Sequence, residues 1–461
     1  MQLTHKKNIL VRDYETLELP LNWSAPNKRV VQKSLPDELA SFHEFGQNTK
    51  ILETKFADVR GSPHEAPTFV NEFWTARQRQ AHSLHEVSYR ACFKPQLPRF
   101  FIERLTQPGD VVYDPFMGRG TTPMEAALLG RVPFGNDINP LSIVMLRPRL
   151  APPTLNEITA RLYEIDFSDA DECPDDLLAF YHPETLRAIG ALKKYFRLRR
   201  GTPASGPARF DHNSHRIGSG IGAPLDPVDE WIEMISLNRL TGHSPGFFSV
   251  YTLPPNQAVS VKSQLKINAK RNQTPPPRDV VKVILKKSRQ LLGDCDSATR
   301  KTLASVAAKS LLLTTPAAAT PKIRSNSISL VVTSPPFLDV VQYADDNWLR
   351  CWFAGIDPKT VKLTVPKKLD AWKDVMTEVF RELYRVLKPG GHVAFEVGEV
   401  HGGKTKLEET VLPSGLDAGL EPVLVLINDQ KFTKTANCWG VDNMAKGTNT
   451  NRIVLFKKPV V

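Results

Sequence analysis

The fold of this chain is decided by residues 110–125, which read Asp110-Val111-Val112-Tyr113-Asp114-Pro115-Phe116-Met117-Gly118-Arg119-Gly120-Thr121-Thr122-Pro123-Met124-Glu125. The apolar residues 111–113 predict a short buried strand that ends at Asp114. Gly118 and Gly120 then let the backbone turn tightly and come close to a ligand. A strand followed by such a turn predicts a site where a ligand lies against main-chain atoms.

A helix is predicted to follow this turn directly. Thr122 is a good N-cap, Pro123 suits the first helical position, and Glu125 completes a capping box three residues on. The helix is expected to run from Pro123 to Leu129 and to end at Gly130. Strand, glycine turn and helix N-terminus together predict a cradle for a nucleotide-like cofactor.

Residues 132–137 predict the next strand and an acid that serves the same cradle. The strand is Val132-Pro133-Phe134-Gly135-Asn136, and Asp137 follows seventeen positions beyond Gly120. An acid at this place usually holds the hydroxyl pair of a ribose. A glycine pair alone is a weak signal, but strand, cap and acid in series favour a cofactor site over a structural turn.

A second informative stretch, Ser334-Pro335-Pro336-Phe337, lies more than two hundred residues later. Residues 328–332 predict a buried strand of the parallel-sheet kind that stops at this loop. Two prolines fix φ near −65° and remove two N–H donors, so carbonyl oxygens point outward while an aromatic ring follows. An isolated Pro-Pro pair is usually a strand-terminating turn, but the cradle earlier in the chain makes this one a candidate substrate loop.

The alternation of strands and helices indicates a doubly wound, mostly parallel α/β sheet with a large inserted region. Ligands of such sheets bind where the strand order reverses, so the strands before Asp114 and Ser334 are expected to be neighbours there. Two final strands, 423–427 and 453–456, are expected to pair antiparallel at an edge of the sheet. The remaining predicted elements are helices over 71–86, 229–240, 343–353 and 371–387, a helix through 101–105, and a strand over 392–397.

Four regions are predicted along the chain. Residues 1–70 are proline-punctuated without periodicity and are expected to form an irregular N-terminal extension. Residues 71–150 form the cofactor-binding part, and residues 321–461 the catalytic part, of one domain. Between them, residues 151–320 form an insert, in which residues 199–227 are rich in Gly, Pro, Ser and His and are expected to be loosely ordered.

Basic charge is concentrated in the insert. The chain of 461 residues has a formal net charge of +11 and a pI near 9.3, so a polyanionic partner is expected. Residues 256–315 hold twelve basic and three acidic side chains, nine of the eleven net charges. This cluster favours a nucleic-acid face over a solvated helix surface. The candidate DNA contacts are Arg239, His243, Lys262, Lys266, Lys270 and Arg271.

Cysteine usage and hydropathy exclude several classes of protein. Five cysteines stand far apart without paired spacing, which argues against a metal site and against a disulfide framework. The N-terminus has no apolar run after its basic residues, and no apolar segment approaches membrane-spanning length. A cytosolic protein without a membrane partner is therefore expected.

The motifs resemble those of the amino-methyltransferases that act on DNA bases with S-adenosylmethionine. Residues 114–122 look like the cofactor motif of that family, and residues 93–98, Phe93-Lys94-Pro95-Gln96-Leu97-Pro98, are similar to its loop for the methionine end. Residues 333–337 resemble the catalytic motif in its serine form, and residues 385–391 are also typical. The cofactor motif comes first and a long insert follows, the order that the family calls alpha-like, which places target recognition in the insert.

The resemblance implies a cofactor, partners and a set of site residues. The cofactor is S-adenosylmethionine and the partner is double-stranded DNA, to which a cognate restriction endonuclease is added as a further partner; no metal is implied. One departure is that Leu313-Thr314-Thr315-Pro316-Ala317 lacks the acid expected near the adenine ring. The implied catalytic residues are Ser334, Pro335, Pro336 and Phe337, and the implied cofactor-binding residues are Phe93, Lys94, Asp114, Pro115, Phe116, Gly118, Gly120, Thr121 and Asp137.

In this family the serine form is associated with the N4 amine of cytosine, and an Asp or Asn before the prolines with the N6 amine of adenine. The amine shares its lone pair with the ring, so hydrogen bonds to the Ser334 hydroxyl and the Pro335 carbonyl would localise the pair on nitrogen. Phe337 would stack on a base flipped from the duplex. Carbon-5 methylation would need a Pro-Cys pair, which the sequence lacks. Adenine N6 methylation, RNA methylation and a DNA-binding protein with a vestigial site are the alternatives.

Overall fold

A computed structural model describes residues 34–75, 81–89, 92–201, 225–252, 258–336, 343–361, 366, 368–400, 405–429 and 450–460. The strands are β1 (Lys50–Ala57), β2 (Pro63–Asn71), β3 (Val111–Asp114), β4 (Val132–Asn136), β5 (Leu311–Leu313), β6 (Ile328–Thr333), β7 (Leu387–Val397), β8 (Glu399–Val400), β9 (Thr405–Lys406), β10 (Glu421–Asp429) and β11 (Thr450–Lys457). The helices are α1 (Leu35–Ala40), α2 (Gln96–Leu105), α3 (Thr121–Leu128), α4 (Leu141–Leu150), α5 (Leu155–Glu164), α6 (Pro183–Arg199), α7 (Pro227–Arg239), α8 (Val261–Arg271), α9 (Val280–Leu291), α10 (Ser297–Ala307), α11 (Tyr343–Ala354), α12 (Leu369–Val386) and α13 (Leu407–Asp417).

Nine of these strands form one sheet in the order β1-β2-β10-β11-β7-β6-β3-β4-β5, while β8 and β9 form a separate hairpin. The block β7-β6-β3-β4-β5 is parallel throughout. Strand β11 is antiparallel to both of its neighbours, and β10 is parallel to β2. The predicted doubly wound, mostly parallel α/β sheet is confirmed.

The strand order reverses between β3 and β6. From β3 the chain moves outward to β4 and β5, and from β6 it moves outward in the other direction to β7. The two strands are direct neighbours, because Val112 pairs with Leu330 and Tyr113 pairs with Val331. The expectation that the cofactor loop and the Ser-Pro-Pro loop leave adjacent strands is therefore confirmed, and both loops lie at the edge where ligands of open α/β sheets bind.

Both faces of the sheet are covered, as a parallel sheet requires. Side chains alternate along each strand, so Val332 and Ala394 pack with α1, α2 and α3 on one face. Val331 and Phe395 pack with α12 and α13 on the other face. All four side chains are fully buried. The helices α2, α7, α11 and α12 lie where the sequence predicts helices, and β7 contains the predicted strand 392–397.

The insert is helical and shares its core with the sheet. Residues of α5, α6, α7, α9 and α10 form one apolar cluster with α4, α11, Met124 of α3 and Leu312 of β5. Within it, the buried indole of Trp231 donates a hydrogen bond to Ser288 Oγ at 3.0 Å. The insert is thus joined to the β4–β5 side of the sheet by continuous packing. Residues 202–224 lie outside the described part of the chain, so most of the segment predicted to be loosely ordered does as well.

Two expectations about the sheet edge are wrong. Residues 50–71 are not an irregular extension, because they form β1 and β2, and β2 adds to β10 in parallel. As a result β10 and β11 lie inside the sheet and not at its edge. At this end of the sheet the edge strand is β1, which is largely exposed and carries charged side chains at Lys50, Glu53 and Lys55, so it shows little apolar periodicity in the sequence.

The helix predicted over 71–86 is also wrong in the described part of that range. Asn71 ends β2, and only residues 83–85 make a single 3₁₀ turn. The backbone N–H groups of Phe73 and Trp74 donate to Asn428 Oδ1 on β10, at 2.6 and 3.2 Å. This contact over some 350 positions holds the segment extended against its helical pattern. None of the helices described is long and apolar enough to span a membrane.

Candidate active site

A cavity of about 260 Å³ lies at the carboxyl ends of the parallel strands. Its walls come from the loops after β3, β4, β5 and β6, from Tyr89, Cys92 and Phe93 before α2, and from one side of α12. Of the residues predicted for the site, the cavity is lined by Phe93, Pro115, Phe116, Gly118, Thr121, Asp137, Ser334 and Pro336. Lys94, Asp114, Gly120 and Pro335 are not among the lining residues, and Phe337 lies outside the described residues.

Asp114 joins the two loops instead of facing the cavity. Its carboxyl group is 1% exposed and accepts hydrogen bonds from the Thr333 hydroxyl at 2.6 Å and from the Phe116 N–H at 3.0 Å. Burial raises the pKa of Asp114 to about 7. A second link runs from the Thr122 hydroxyl to the Val332 carbonyl at 3.0 Å. The ends of β3 and β6 are therefore fixed to each other by buried hydrogen bonds.

The two glycines of the turn serve different purposes. Gly118 has φ +51°, lines the cavity and donates its N–H to Asp137 Oδ2 at 2.9 Å. Gly120 has φ +80°, and a Cβ there would lie 2.7 Å from Leu146 Cδ1 of α4. Gly118 thus shapes the ligand surface, whereas Gly120 is required by packing.

The predicted capping box is wrong. Helix α3 begins at Thr121, and its N-cap is Gly120 in the left-handed conformation without a side-chain cap. Glu125 accepts hydrogen bonds from Arg99 Nε and pairs with His85 Nε2, each at 2.6 Å. The glycine turn already directs the chain into the helix, so the side chains at Thr122 and Glu125 are free for tertiary contacts.

We expect the G120A variant to lose about 1–3 kcal/mol of unfolding free energy, because a residue with Cβ is strained at this φ and overlaps Leu146. Denaturant unfolding measures the loss. Gly130 is the matched control, since it has φ +74° but a Cβ there would have no neighbouring atom closer than 3.9 Å. Equal losses for G120A and G130A would mean that the contact with Leu146 is unimportant.

Asp137 is an acidic residue that lines the cavity. Its Oδ2 accepts the Gly118 N–H and its Oδ1 accepts the Asn139 N–H, both at 2.9 Å. Burial raises the pKa of Asp137, against the lowering effect of these hydrogen bonds. Each carboxylate oxygen has a second lone pair, so the group is oriented and still able to accept hydroxyl protons.

Asn136 is a site residue that the sequence did not reveal. It is fully buried, its Nδ2 donates to the Thr315 carbonyl at 2.9 Å and to the Pro115 carbonyl at 3.3 Å, and its Oδ1 accepts the Thr315 N–H at 3.0 Å. The loops after β3 and β5 are thus tied to the end of β4. In the sequence Asn136 stands at the end of a predicted strand next to Asp137, and no motif marks it as a site residue.

The walls of the cavity are largely apolar. Phe116 and Pro316 come from loops, and Val375, Met376 and Val379 come from α12. The helix predicted over 371–387 thus contributes one of the cavity walls. Residues 315–318 also line the cavity and include no acid, as the sequence indicates.

Trp372 supports the Ser-Pro-Pro loop from α12. Its indole is 1% exposed and Nε1 donates a hydrogen bond to the Pro336 carbonyl at 3.0 Å. Ser334 is only partly buried and lines the cavity. The Pro336 carbonyl is engaged with the helix, so the Pro335 carbonyl remains the predicted acceptor for a substrate amine.

The predicted DNA contacts fall into two groups. Lys262, Lys266, Lys270 and Arg271 are exposed on α8, and the Arg271 guanidinium lies 3.8 Å from the ring centre of Tyr251. Arg239, by contrast, is 8% exposed and lies 4.0 Å over the ring of Phe247, and burial lowers its pKa to about 10.

The Arg239 guanidinium also donates to Asn238 Oδ1 at 2.7 Å. The expectation that Arg239 reads bases does not fit this burial, and the residue supports the loop 241–251. The His243 ring lies 6.1 Å from that of Phe247 in the same loop.

The cavity fits S-adenosylmethionine. Its volume lies just below the usual range of small-molecule sites, which begins at about 300 Å³. The apolar lining that includes Phe116 and Pro316 suits a purine, and the oriented Asp137 carboxylate suits the ribose hydroxyls. When bound, this cofactor supplies a methyl group on a positively charged sulfur.

Known proteins that resemble the chain are methyltransferases. Residues 13–144 match the model of the N6/N4 DNA methylase family. The chain is 21% identical to the type II methyltransferase M.BsoBI of Geobacillus stearothermophilus over 387 residues, 76% of this chain and 68% of that protein. A stretch of 74 residues is 35% identical to the type II methyltransferase M.MjaII of Methanocaldococcus jannaschii, 16% of this chain and 14% of that protein.

A solved S-adenosylmethionine-dependent methyltransferase from Methanosarcina mazei aligns with 78% of this chain and 98% of its own, at 10% identity and a TM-score of 0.28. In its motifs and its sequence matches the chain thus resembles S-adenosylmethionine-dependent methyltransferases. Its similarity in sequence is to the DNA methylases of the N6/N4 family, which confirms the resemblance that the motifs indicated.

Proposed function

We propose that the protein transfers a methyl group from S-adenosylmethionine to the N4 amine of a cytosine flipped out of double-stranded DNA. The observation that carries the proposal is the position of Ser334 in the cavity, which Asp137 and Phe116 also line. Its side chain is a hydroxyl group, where the adenine form of the motif has Asp or Asn. Two hydrogen bonds hold this loop: the Thr333 hydroxyl before it donates to Asp114, and the Trp372 indole donates to the Pro336 carbonyl. In this proposal the substrate base and the cofactor share one cleft.

The proposed chemistry is one of positioning. The Ser334 hydroxyl and the Pro335 carbonyl accept hydrogen bonds from the two amine protons, which localises the lone pair on nitrogen and aims it at the methyl carbon. Such alignment contributes up to about 7–11 kcal/mol to lowering a barrier. The methylated nitrogen is acidic and loses a proton readily, so no strong base is needed. Phe337 is proposed to stack on the flipped base.

DNA is proposed to lie along the insert, with residues 151–320 as the target-recognition region. Lys262, Lys266 and Lys270 recur every four residues on α8 and lie along one side of that helix. Exposed lysines in such a row contact phosphates, and the binding they support weakens steeply as salt is raised. A cognate restriction endonuclease stays a prediction from the resemblance.

The experiment is transfer of labelled methyl groups from S-adenosylmethionine to unmethylated genomic DNA by the purified chain. We expect label in DNA that grows with time and is absent from an RNA control. A protein with a vestigial site would bind the DNA and leave it unlabelled. Sequencing of the modified DNA then reports the recognition context.

A further inference from the structure

The edge of the nine-stranded sheet at β1 is long and open. In the part of the chain that the structure describes, β2 pairs with one side of β1 and no strand pairs with the other. Ile51 and Leu52 point to opposite faces of the strand and are 56% and 42% exposed. A free edge of eight residues with exposed apolar side chains on both faces is a template for another strand.

The main-chain groups of β1 alternate in direction between β2 and the open edge. Asp58 donates its N–H to the Ser62 carbonyl at 3.0 Å in the turn to β2, and the register of β1 with β2 contains no shift. In steps of two from Asp58, the even-numbered residues of β1 therefore direct their N–H and C=O groups to β2, and the odd-numbered residues direct theirs outward. The outward set is Ile51, Glu53, Lys55 and Ala57.

The sequence of β1 is complementary to itself when two copies run antiparallel about Thr54. A twofold axis through Thr54 places residue 53 of one copy opposite residue 55 of the other, and likewise 52 opposite 56. The first pair joins Glu53 to Lys55, the second joins Leu52 to Phe56, and symmetry makes each pair occur twice. Opposite charges and apolar groups directly across antiparallel strands are stabilising. Charged side chains usually protect an edge strand, but here their signs match those of a second copy.

A slip of the register removes this match. If the axis passes through Glu53, the two Glu53 carboxylates lie opposite each other, and if it passes through Lys55, the two ammonium groups do. Like charges directly opposite each other are destabilising. An axis between two residues would pair outward main-chain groups with groups already bonded to β2. The register centred on Thr54 is therefore the one that side chains and main chain both favour.

We propose that the protein forms a twofold dimer in which the β1 strands of two copies pair antiparallel about Thr54 and join their sheets into one. The outward groups of the two strands then make about eight main-chain hydrogen bonds. Four strands separate β1 from β6, and β1 contributes no residue to the lining of the cavity. Both cavities stay open in this dimer, and the inference does not depend on the proposed function.

The test is the mass of the purified full chain in solution, measured by sedimentation over a range of micromolar concentrations. We expect a dimer of twice the chain mass of 51.5 kDa. E53K and K55E are each expected to raise the dissociation constant of the dimer by about tenfold, because both charged pairs across the axis become like-charged. The double variant E53K/K55E restores opposite charges in both pairs and is expected to restore the dimer.

A disulfide bond reports the register. In T54C the two new thiols lie at the axis, in a pair without main-chain hydrogen bonds, where the Cα atoms are about 4.5 Å apart. That separation is within the range that a disulfide spans, so oxidised T54C is expected to become a covalent dimer. L52C is the matched control, because its two copies lie about 13 Å apart along the strands and are expected to stay unlinked.

Circular dichroism separates loss of the interface from loss of the fold, and each variant is expected to keep the wild-type spectrum. Lys55 Nζ lies 3.5 Å from Glu65 Oε1 within one copy, so K55E also alters that exposed pair, whereas E53K does not. A monomeric wild type would overturn the inference. So would a dimer that persists unchanged in both E53K and K55E, since it forms through another surface, and so would cross-linking of L52C in place of T54C.

Discussion

The S334A variant is expected to lose about 10²–10³-fold in the rate of methyl transfer while it binds DNA and cofactor nearly as well as the wild type. The loss is that of one preorganised hydrogen bond at the reacting nitrogen, a contribution of about 2.7–4 kcal/mol in comparable sites. Single-turnover transfer of a labelled methyl group measures the rate, and filter binding measures DNA affinity.

The matched control is S329A, on the same strand. Ser329 donates to Asp110 Oδ1 at 2.8 Å near the amino end of β6, whereas the cavity lies at the carboxyl end, so its replacement is expected to leave the rate within about twofold. Equal rates for S334A and the wild type would remove Ser334 from the reaction. A loss of DNA binding in parallel with the rate would point to a structural role for the serine.

The W372A variant is expected to lose about 3–5 kcal/mol of unfolding free energy, since it empties the space of a fully buried indole in the core between the sheet and α12. It also leaves the Pro336 carbonyl without its donor. Denaturant unfolding measures the stability.

W372F separates the two effects. It keeps most of the apolar volume and removes only the hydrogen bond, so we expect a loss of about 1 kcal/mol of unfolding free energy. We also expect slower methyl transfer, because the loop loses a contact that positions it. W231F is its control, because it removes a buried indole hydrogen bond of the same 3.0 Å length in the insert. Equal rates for the two Phe variants would show that the Trp372 contact does not position the loop.

The centre of the fold was predictable because its signals are local. Each pattern lies within a few residues: a strand and a glycine turn at 111–120, and a strand followed by two prolines at 328–336. The rule that parallel strands bind ligands at the point of reversal then brought the two together. Val112 and Leu330, paired in the sheet, confirm that step.

The rest depends on contacts between distant residues. β2 pairs with β10 across more than three hundred positions, and Asn428 holds Phe73 and Trp74 out of a helix that their spacing favours. Thr122 and Glu125 fit a capping box, yet their side chains bond to β6, His85 and Arg99. In the same way Asn136 carries no motif in the sequence, and only the folded chain shows that it ties the loops after β3 and β5 to the end of β4.

The most direct test of the central claim is mass spectrometry of nucleosides from DNA modified by the purified protein with S-adenosylmethionine. N4-methylcytosine as the product, present with the wild type and almost absent with S334A, is the result that we predict. N6-methyladenine as the only methylated nucleoside would contradict the assignment of serine at position 334 to cytosine chemistry.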